Sequence, residues 1–598
     1  MNEQKYSVNQ HLIESVITWV KDGDIAIPEI QRPFVWDSSK VRDLMDSLYQ
    51  GYPIGYIIAW RNPNVRLKDG RLSEGKRVLI DGQQRVTALT AAVLGQQVVN
   101  KEYKKITIRI AFNPVDEKFE VLNPAIEKDK RWIDDISPII TNELRLSKVV
   151  NDFCELNEDV DRDKVEDVLE NLKSIVKKQI GLIELSGDLD IEKVTEIFIR
   201  INSQGVELSQ ADFVMSKIAA NEEYGGNVLR KCIDYFSHLS VAPEFYPNIA
   251  EFDKEFSSTE YFRKISWLKS ENDTLYDPTY KDVLRVSFTY KFSRGRLSDL
   301  VSLLSGRNFE TRDFEEEIAI DSYAKLKEGI LDFVNETNFK KFIMVVKAAG
   351  FVDERLIRSQ NTLNFAYILY LKLREQHYHP ALIEKYVKKW FVLSILTGRY
   401  SGSPESIFDY DIKNISSRDF GEYLKDVENA RLSDAFWTAE LIQKLNTSIS
   451  SSPVFNVFLA AQCKMNNRGF LSKSITVKDL IEQRGDVHHL FPRAYLKTVG
   501  MQRGQYNQVA NYVFTQSETN IQIGNKAPKI YFNYLLDQCN GGSYKYGGIT
   551  ELDDLKLNMK ENCIPESIFE MTHEGFQEFV EERRILISNK IKHYYESL

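Results

Sequence analysis

The stretch Asp486-Val487-His488-His489-Leu490-Phe491-Pro492 decides how the C-terminal part of this chain is interpreted. Only eight histidines occur among 598 residues, and two of them stand side by side here, three positions before a proline. The pattern predicts that the pair lies at the end of a strand. One histidine of such a pair can activate water, while the other and a distant asparagine position a divalent metal against a phosphodiester. A pair with no function is the alternative that the two histidines alone leave open.

Two segments of the chain together resemble the motif of HNH, or ββα-metal, nucleases. Asp486 to Pro492 is similar to the first half of the motif, and the run Asn511-Tyr-Val-Phe-Thr-Gln-Ser-Glu-Thr-Asn520 is similar to the second half. In such nucleases the second residue of the pair is the general base and the first is a metal ligand. The resemblance therefore implies that His489 takes the proton and that His488 and Asn520 bind the metal.

The same resemblance implies two further site residues and a choice of metal. Asn511 would brace the loop, and it counts as a fourth candidate catalytic residue. Asp486 is a candidate metal ligand, although it can instead orient His488 without touching the ion. Many relatives carry aspartate at the position of His488. Because Mg²⁺ prefers oxygen ligands, the histidine leaves Mg²⁺, Mn²⁺ and another divalent ion such as Ni²⁺ open.

Length and composition predict a globular protein of several domains. A chain of 598 residues exceeds what one hydrophobic core supports, so about two to four domains are expected. Hydrophobic residues make up 43% and charged residues 28% of the chain, as is ordinary for soluble proteins. The formal net charge of −9 gives no global signal for nucleic acid, so any contact with DNA must come from local basic clusters.

Cysteine usage and hydropathy predict a cytoplasmic location. The five cysteines are scattered without C-x-x-C spacing, which argues against a disulfide framework and a zinc–cysteine site and suits a reducing cytosol. The N-terminal segment lacks a basic region followed by an apolar run, so no signal peptide is expected. No apolar run reaches membrane-spanning length, and we expect no membrane partner.

The chain is predicted to be an α+β multidomain protein in three regions. Residues 1–225 are mixed α/β, residues 226–430 form a helical connecting region, and residues 431–598 form a helix-rich domain with the ββα-metal motif. Ser401 to Pro404 is the best interior break. The last region is expected to open with helices near 435–445 and 454–465.

Within the first region the sequence pattern predicts individual elements. Asp37 precedes apolar residues at helical spacing and Gly51 follows them, as in a capped helix that ends at a glycine. Ser209 with Asp212 resembles a capping box and predicts a helix that runs to Ala220. The remaining predictions are strands at 52–60, 77–80 and 103–112, a helix at 85–93, and mainly helical segments over 113–190.

Asp81-Gly82-Gln83-Gln84-Arg85 follows a short apolar strand and opens a helix. Backbone N–H groups at a helix start attract anions, and the planar guanidinium of Arg85 can engage phosphate oxygens. Gln83 or Gln84 could read a base or order a water molecule. The alternative is structural, because Asp81 and Gln84 also fit a capping box in which Gly82 eases the turn.

This turn resembles the DGQQR family of GmrS-type domains, as do Ile27-Pro-Glu-Ile-Gln31-Arg32-Pro-Phe-Val-Trp36 upstream and Phe198-Ile-Arg200-Ile-Asn202-Ser203 downstream. The resemblance implies a mixed α/β fold related to ParB and sulfiredoxin, with a nucleoside triphosphate site that regulates DNA cleavage. Arg200 and Asn202 either approach that site or form a turn before a helix. The chain has no Gly-x-x-x-x-Gly-Lys-Ser/Thr P-loop, so the site is of another kind. The implied nucleotide-binding residues are Gln31, Arg32, Asp81, Gly82, Gln83, Gln84 and Arg85.

A DGQQR domain fused to an HNH domain resembles GmrSD-like single-chain enzymes, which include BrxU-like and, more distantly, SspE-like proteins. The resemblance implies a nucleotide-regulated, modification-dependent (type IV) endonuclease that cuts modified phage DNA in bacterial defence. Two alternatives remain: an HNH nuclease whose N-terminal domain only recognises DNA, and a non-enzymatic DNA-binding scaffold. The sequence leaves open the DNA modification, the preferred nucleotide and its hydrolysis, the cleavage pattern, and the oligomeric state, for which a homodimer is one option.

Two further patterns are interpreted as structural. Phe34, Trp36 and Tyr52 are predicted to lie in the core rather than to stack on bases. The basic run from Glu582 to Lys592 predicts the solvated face of a C-terminal helix, with direct DNA contact as the alternative.

Overall fold

A computed structural model of the chain describes residues 5–22, 24–26, 36–61, 77–99, 105–187, 189, 210–219, 221, 224–271, 273–483 and 485–598. The protein is a mixed α+β structure with two compact units. The first unit comprises Met1–Lys269 and Leu297–Ala324, and the second comprises Ser270–Arg296 and Lys325–Leu598. Both units contain parts of the region 226–430, and the division into three functional regions stays a prediction.

The first unit is built on a mixed five-stranded sheet. In chain order the strands of the protein are β1 (Tyr6–Leu12), β2 (Ile25–Ala26), β3 (Tyr56–Arg61), β4 (Arg77–Asp81), β5 (Val98–Val99), β6 (Lys105–Ile106), β7 (Ile110–Asn113), β8 (Lys118–Val121), β9 (Gln179–Leu185), β10 (Asp486–His489) and β11 (Tyr512–Thr515). The large sheet has the order β1-β9-β3-β4-β2, with β3 parallel to β9 and antiparallel to β4. The remaining strands form the pairs β5–β6, β7–β8 and β10–β11.

Helices make up most of the rest of the described chain. The α-helices are α1 (Ile13–Asp22), α2 (Ser38–Tyr49), α3 (Gln83–Leu94), α4 (Ser137–Ile140), α5 (Leu146–Leu156), α6 (Arg162–Lys173), α7 (Gln210–Ala219), α8 (Gly226–Val241), α9 (Tyr246–Phe252), α10 (Lys254–Ser257), α11 (Glu260–Lys264), α12 (Tyr280–Phe292), α13 (Leu297–Leu304), α14 (Glu316–Phe333), α15 (Glu336–Ala348), α16 (Gln360–Glu375), α17 (Pro380–Thr397), α18 (Pro404–Ser417), α19 (Phe420–Arg431), α20 (Leu441–Lys444), α21 (Pro453–Lys464), α22 (Val477–Glu482), α23 (Arg493–Thr498), α24 (Arg503–Tyr506), α25 (Ser517–Ile523), α26 (Pro528–Cys539), α27 (Leu552–Glu561) and α28 (Phe576–Ser597). Short 3₁₀ segments lie at Ile126–Lys128, Ser174–Lys177, Pro243–Phe245, Ser266–Ser270, Glu354–Leu356, Val509–Asn511, Glu566–Glu570 and His573–Gly575, and a π-helical turn at Phe436–Glu440.

Local sequence signals explain the elements that the sequence predicts correctly. The Asp37 carboxylate accepts a hydrogen bond from the Lys40 amide at 2.9 Å and caps α2. Gly51, at φ +74°, adopts the left-handed conformation that follows the helix. The predicted strand at 77–80 and helix at 85–93 correspond to β4 and α3, and the helix predicted up to Ala220 corresponds to α7. Ser209, its predicted cap, lies outside the described residues.

Two predicted strands are shorter or interrupted. The strand predicted at 52–60 begins only at Tyr56, because Pro53 has no amide donor and Gly55 turns the backbone at φ +87°. The single strand predicted at 103–112 is wrong. Its described part divides into β6, which pairs with β5, and β7, which pairs with β8, so two different partners interrupt it.

The prediction of mainly helical structure over 113–190 is correct for α5 and α6 but misses the short strand β8 and the longer strand β9. In β9 the side chains of Ile180 and Leu182 are buried in the core of the first unit, whereas Gln179 is exposed. The strand lies between β1 and β3 in the sheet. Pairing on both sides therefore outweighs the charge-rich, helix-like composition of the surrounding sequence.

The described part of the second unit is mainly helical and contains the short strand pair β10–β11. The prediction that residues 226–430 are mainly helical is confirmed. Residues 401–403 lie in the connection from α17 to α18, and Pro404 is the first residue of α18. The helices predicted near 435–445 and 454–465 correspond to the π-helical turn with α20 and to α21. All five cysteines are free, as predicted. Within the described ranges, no helix has the length and apolar character needed to cross a membrane.

Candidate functional site

The strand pair β10–β11 and the helix α25 bring the two halves of the C-terminal motif together. The strands are antiparallel, with His488 opposite Val513 and His489 opposite Tyr512. Helix α25 begins two residues after β11 ends and carries Asn520. This strand–strand–helix arrangement places Asn520 beside His488 although 32 residues separate them in sequence.

The His488 imidazole and the Asn520 amide form the closest polar pair of the site. Nδ1 of His488 lies 2.6 Å from Oδ1 of Asn520, and the ring lies parallel to the ring of Phe470. His488 is only 3% exposed, and this burial lowers its pKa to about 4. The ring is therefore neutral near pH 7 and keeps a lone pair for a metal. Its Nε2 is buried without a hydrogen-bond partner among the described residues.

His489 faces a different environment from its neighbour. Its Nε2 lies 3.1 Å from Oδ1 of Asn507, and its ring meets Tyr512 edge-on, with 4.9 Å between the ring centroids. The side chain is half-buried, and burial lowers its pKa. A neutral, partly exposed imidazole held by an amide oxygen can accept a proton from water. The sequence analysis did not single out Asn507, because a lone asparagine in a loop carries no spacing signal.

Asn511 ties the turn after β10 to the segment before β11. Its side chain accepts a hydrogen bond from the Phe491 amide at 2.8 Å and donates to the carbonyls of Phe491 and Tyr506. The Asn511 carbonyl accepts a further bond from the Leu490 amide at 2.9 Å. The residue is fully buried. Asn511 thus connects the chain beside His489 to the chain that enters β11.

Arg583 on α28 holds the same segment from the interior, contrary to the prediction of a solvated basic face. Its guanidinium is fully buried and donates to the carbonyls of Ala510, Tyr512, Asn562 and Cys563 at 2.7 to 3.2 Å. Burial lowers the pKa of Arg583 to about 10. The prediction is wrong here because a guanidinium has five donors, and only such a group can serve several buried carbonyls at once.

The nitrogen and oxygen atoms of His488 and Asn520 suit a divalent metal, which would also need ligands other than these two side chains. His488 offers a neutral imidazole nitrogen, and Asn520 offers an amide oxygen. The side chain of Asp486, the third candidate ligand, lies outside the described residues. Among those that are described, no group of three or more histidine, cysteine, aspartate or glutamate side chains could hold a metal ion. A neutral imidazole has one lone pair, so a metal shared with Oδ1 of Asn520 would take Nδ1 of His488 and leave the proton on the orphan Nε2.

In the first unit, the predicted nucleotide-binding turn connects β4 to α3. Gly82 is the N-cap of α3 at φ +90°, and it has no side chain with which to cap the helix. A Cβ atom at this position would lie 3.3 Å from the Ile57 backbone, so the close approach as well as the angle favours glycine. The structural alternative, a capping box of Asp81 and Gln84, is therefore not observed. The start of α3 has the backbone geometry of a helix N-terminus, which attracts anions.

Arg85 lies across this turn. Its guanidinium donates to the Tyr56 carbonyl and covers Gly55 and Gly82, where added Cβ atoms would lie 3.4 to 3.5 Å from it. The Gln83 amide reaches the Leu79 carbonyl at 3.5 Å. The described members of the predicted site, from Asp81 to Arg85, are thus together on one turn. Gln31, Arg32, Arg200 and Asn202 lie outside the described residues.

The predicted aromatic core residues differ in their environment. Trp36 is partly buried and packs against the core of the first unit, as predicted. Tyr52 is 63% exposed, so its prediction as a core residue is wrong. It precedes β3 in the irregular segment with Pro53 and Gly55, which the sheet does not cover. Phe34 lies outside the described residues.

Comparisons with known proteins bear mainly on the N-terminal part. The chain is 23% identical to the uncharacterized protein MJ0686 of Methanocaldococcus jannaschii over an alignment that covers 95% of this chain and 96% of that protein. This alignment includes the C-terminal unit. The family model described as "GmrSD restriction endonuclease, N-terminal domain" matches residues 13–219. Residues 13–219 are therefore similar to the N-terminal domain of GmrSD restriction endonucleases.

Proposed function

We propose that this protein is a metal-dependent DNA endonuclease of the HNH type whose cleavage is controlled by the GmrSD-type domain. The observation that carries the proposal is the juxtaposition of His488 with Asn520 next to His489, in a strand–strand–helix arrangement. A nuclease activity agrees with the restriction-endonuclease family matched at residues 13–219.

The side chains divide the work of phosphodiester hydrolysis. Neutral His489 accepts a proton from the attacking water, and Asn507 orients its ring through the 3.1 Å contact. His488 and Asn520 would hold a divalent ion, which supplies charge stabilisation at the phosphate when bound. Mg²⁺ and Mn²⁺ are the first candidates, because phosphate and water oxygens would complete the ligand set.

Exposed basic residues near the site provide local positive charge for DNA, although the chain as a whole has a negative net charge. Arg493 lies close enough to His489 to add to the lowering of its pKa by burial. Arg503 lies close to Tyr512, whose pKa burial raises and this arginine partly opposes. Both arginines are exposed, as is Lys497 on the helix after the histidine pair. Such a local cluster can bind DNA phosphates despite the formal net charge of −9.

Replacing His488 or Asn520 with alanine is expected to weaken metal binding and DNA cleavage together, because each change removes a protein ligand. Loss of a mere supporting residue costs about 10–100-fold in metal affinity, so loss of a ligand should cost at least about tenfold. High Mg²⁺ or Mn²⁺ should restore part of the cleavage in both variants. Calorimetric Mn²⁺ titration and cleavage rates over a metal series measure the two effects.

The control for these variants is His593→Ala, which removes an exposed histidine of α28 and should match the wild type. His489→Ala should bind metal normally, and added metal should not restore its activity. The assignment of the ligands is wrong if the titrations of the His488 and Asn520 variants overlay the wild-type curve.

We further propose that the β4–α3 turn binds a nucleoside triphosphate, which regulates the nuclease. The N-terminus of α3, with the guanidinium of Arg85 beside Gly82, suits a phosphate group. The role is proposed for Gln31, Arg32 and the residues Asp81 to Arg85 by resemblance. A recognition domain that binds DNA without nucleotide is the second candidate, and nucleotide binding separates the two.

A nucleoside triphosphate is expected to raise the melting temperature of the protein, and Arg85→Ala should abolish this shift. A ligand that binds only the folded state stabilises it by about 2.7 kcal/mol at a hundredfold excess over its Kd. Differential scanning fluorimetry with ATP and GTP measures the shift. The control is Arg162→Ala, which removes an exposed arginine from the first turn of another helix, α6. A full shift in Arg85→Ala would contradict the phosphate role.

The test of the whole proposal is cleavage of modified against unmodified phage DNA, with and without nucleotide. HNH side chains contact phosphates and read little sequence, so selectivity must come from another part of the chain. We expect the full-length protein to cut modified DNA much faster, with nucleotide changing the rate. A panel should include hydroxymethylated and glucosylated cytosine and phosphorothioate linkages. Equal cutting of every DNA would leave a general metal-dependent nuclease, and no cutting would favour the DNA-binding scaffold.

A further inference from the structure

A pocket of about 420 Å³ lies in the second unit beside the segment that holds His489. One wall includes Gln505 and Gln508, and the other includes His573, Phe576 and Gln577, with Arg584 also lining it. Gln508 directly follows Asn507, whose amide oxygen is 3.1 Å from Nε2 of His489. The pocket is of the size that small ligands and single nucleotide units occupy.

Arg584 is the unusual member of this lining. The residue is only 7% exposed, and Nε of its guanidinium has no hydrogen-bond partner among the described residues. Nη2 reaches the Gln508 amide oxygen only at 3.4 Å. In the part of the chain that the structure describes, no carboxylate lies within 4.0 Å of Arg584 as an ion-pair partner. Glu581 acts on the Arg584 guanidinium from beyond ion-pair distance, but it does not outweigh the cost of burial. An anion in direct contact would therefore stabilise the cation.

The adjacent Arg583 shows that burial alone does not explain Arg584. Arg583 is saturated by four backbone carbonyls. Arg584, one residue further along α28, has one hydrogen-bond acceptor among the described residues and lines the pocket. The two neighbouring arginines of the basic run therefore have different roles, one structural and one open to a ligand.

The amide groups of the lining favour a nucleotide over a simple anion, and the lining also includes the exposed carboxylate of Glu574. The amides of Gln505, Gln508 and Gln577 offer donors and acceptors of the kind that bind phosphate oxygens and base edges. His573 adds an imidazole whose Nδ1 lies 3.3 Å from the Tyr495 hydroxyl, on the helix that follows the histidine pair. A planar guanidinium matches two phosphate oxygens at once.

We propose that this pocket binds a nucleotide phosphate on Arg584, and that the nucleotide belongs to the DNA strand whose neighbouring phosphodiester lies at His489. The inference rests on the proposed nuclease function and deepens it, because it assigns a DNA contact outside the metal site. A free nucleotide offers the same chemistry, and the experiment separates these two sources.

The test measures binding of a short DNA duplex to the full-length protein in EDTA, so that no metal-dependent cleavage occurs. Each phosphate contact contributes about 0.9 to the slope of the logarithm of the binding constant against the logarithm of salt concentration. Arg584→Gln should reduce this slope by about 0.9, whereas Arg584→Lys should keep most of it. Lys592→Gln is the control, because Lys592 lies further along α28 and pairs with Asp434 at 3.6 Å.

A second variant tests the pocket without removing a buried group. Gln505 is exposed, and its side-chain oxygen accepts a hydrogen bond from the Gln502 amide at 2.7 Å. Gln505→Glu keeps this acceptor and adds a negative charge to the pocket wall. It should weaken duplex binding while leaving the melting temperature unchanged.

The outcomes separate the two sources and the two proposals. A reduced salt slope in Arg584→Gln with weaker binding by Gln505→Glu supports the DNA strand. The pocket is assigned to a free nucleotide by a different set of results. In that case Arg584→Gln keeps the salt slope of the wild type but loses the ATP-induced melting shift, and Arg85→Ala retains that shift. The proposed role of the pocket is overturned if Arg584→Gln and Gln505→Glu both match the wild type in duplex binding and in the ATP-induced melting shift. Failure of the nuclease proposal would appear separately, as a wild-type protein that binds DNA but never cuts it when metal is added.

Discussion

Replacing His489 with alanine is expected to reduce DNA cleavage by about 10²–10⁴-fold and to leave DNA binding nearly intact. This loss of rate is the loss typically seen when a positioned general base is removed, because the attacking water then has no acceptor for its proton. The ring is half-buried and contacts Asn507 and Tyr512 at the edge of the strand pair, so its loss opens no large cavity in the core. Single-turnover cleavage at saturating DNA measures the chemical step, and duplex binding in EDTA measures affinity.

Two companion variants make the assignment specific. Asn507→Ala should reduce cleavage by less than His489→Ala, because it frees the orientation of the base but leaves the base in place. His593→Ala, at an exposed position, should cut at the wild-type rate. A folded His489→Ala protein that cuts DNA as fast as the wild type would remove His489 from the mechanism.

The C-terminal site could be predicted as a set of residues because its members have a characteristic spacing. His488, His489 and Asn520 stand in a recognisable order, and the fold brings His488 and Asn520 within hydrogen-bond distance. Supporting residues carry no such signal. Asn507 is one asparagine among several, and Arg583 looks like part of an ordinary basic run. Only the tertiary structure shows that one contacts the base and the other the buried backbone.

In the N-terminal unit, local signals predicted elements and tertiary pairing decided the rest. The cap at Asp37 and the glycine at position 82 act within one turn of chain, so the sequence reveals them. β9 is different, because its place between β1 and β3 depends on strands more than 100 residues away in sequence. Its flanks are charge-rich, and a pattern read over a short window assigns them to helices.

The same distinction explains the error at the C-terminal basic run. Charged residues are mostly exposed, so a solvated helix face is the ordinary interpretation of Arg583 and Arg584. Both are buried, since α28 packs beside the segment that leads into β11. Unpaired backbone carbonyls in a core need donors, and this requirement cannot be read from the sequence of the helix itself.

Replacing Arg583 with methionine is expected to destabilise the second unit by at least about 3 kcal/mol. Methionine fills much of the space but offers no donor to the carbonyls of Ala510, Tyr512, Asn562 and Cys563. Each buried acceptor left without a partner costs about 1–3 kcal/mol, and relief from burying the cation offsets part of the sum. The two carbonyls that flank Asn511 belong to the entry into β11, so the metal site should loosen first.

Hydrogen–deuterium exchange of the β11 amides measures this loosening directly, alongside urea unfolding of the full-length protein. Arg583→Lys should fall between the wild type and Arg583→Met, because an ammonium has only three donors for four acceptors. Lys592→Gln, on the same helix but paired at the surface, should change stability by less than about 0.5 kcal/mol. Wild-type exchange in β11 of Arg583→Met would show that Arg583 does not hold this strand. Faster exchange there, with metal affinity lowered in step, would tie the buried arginine to the geometry of His488 and Asn520.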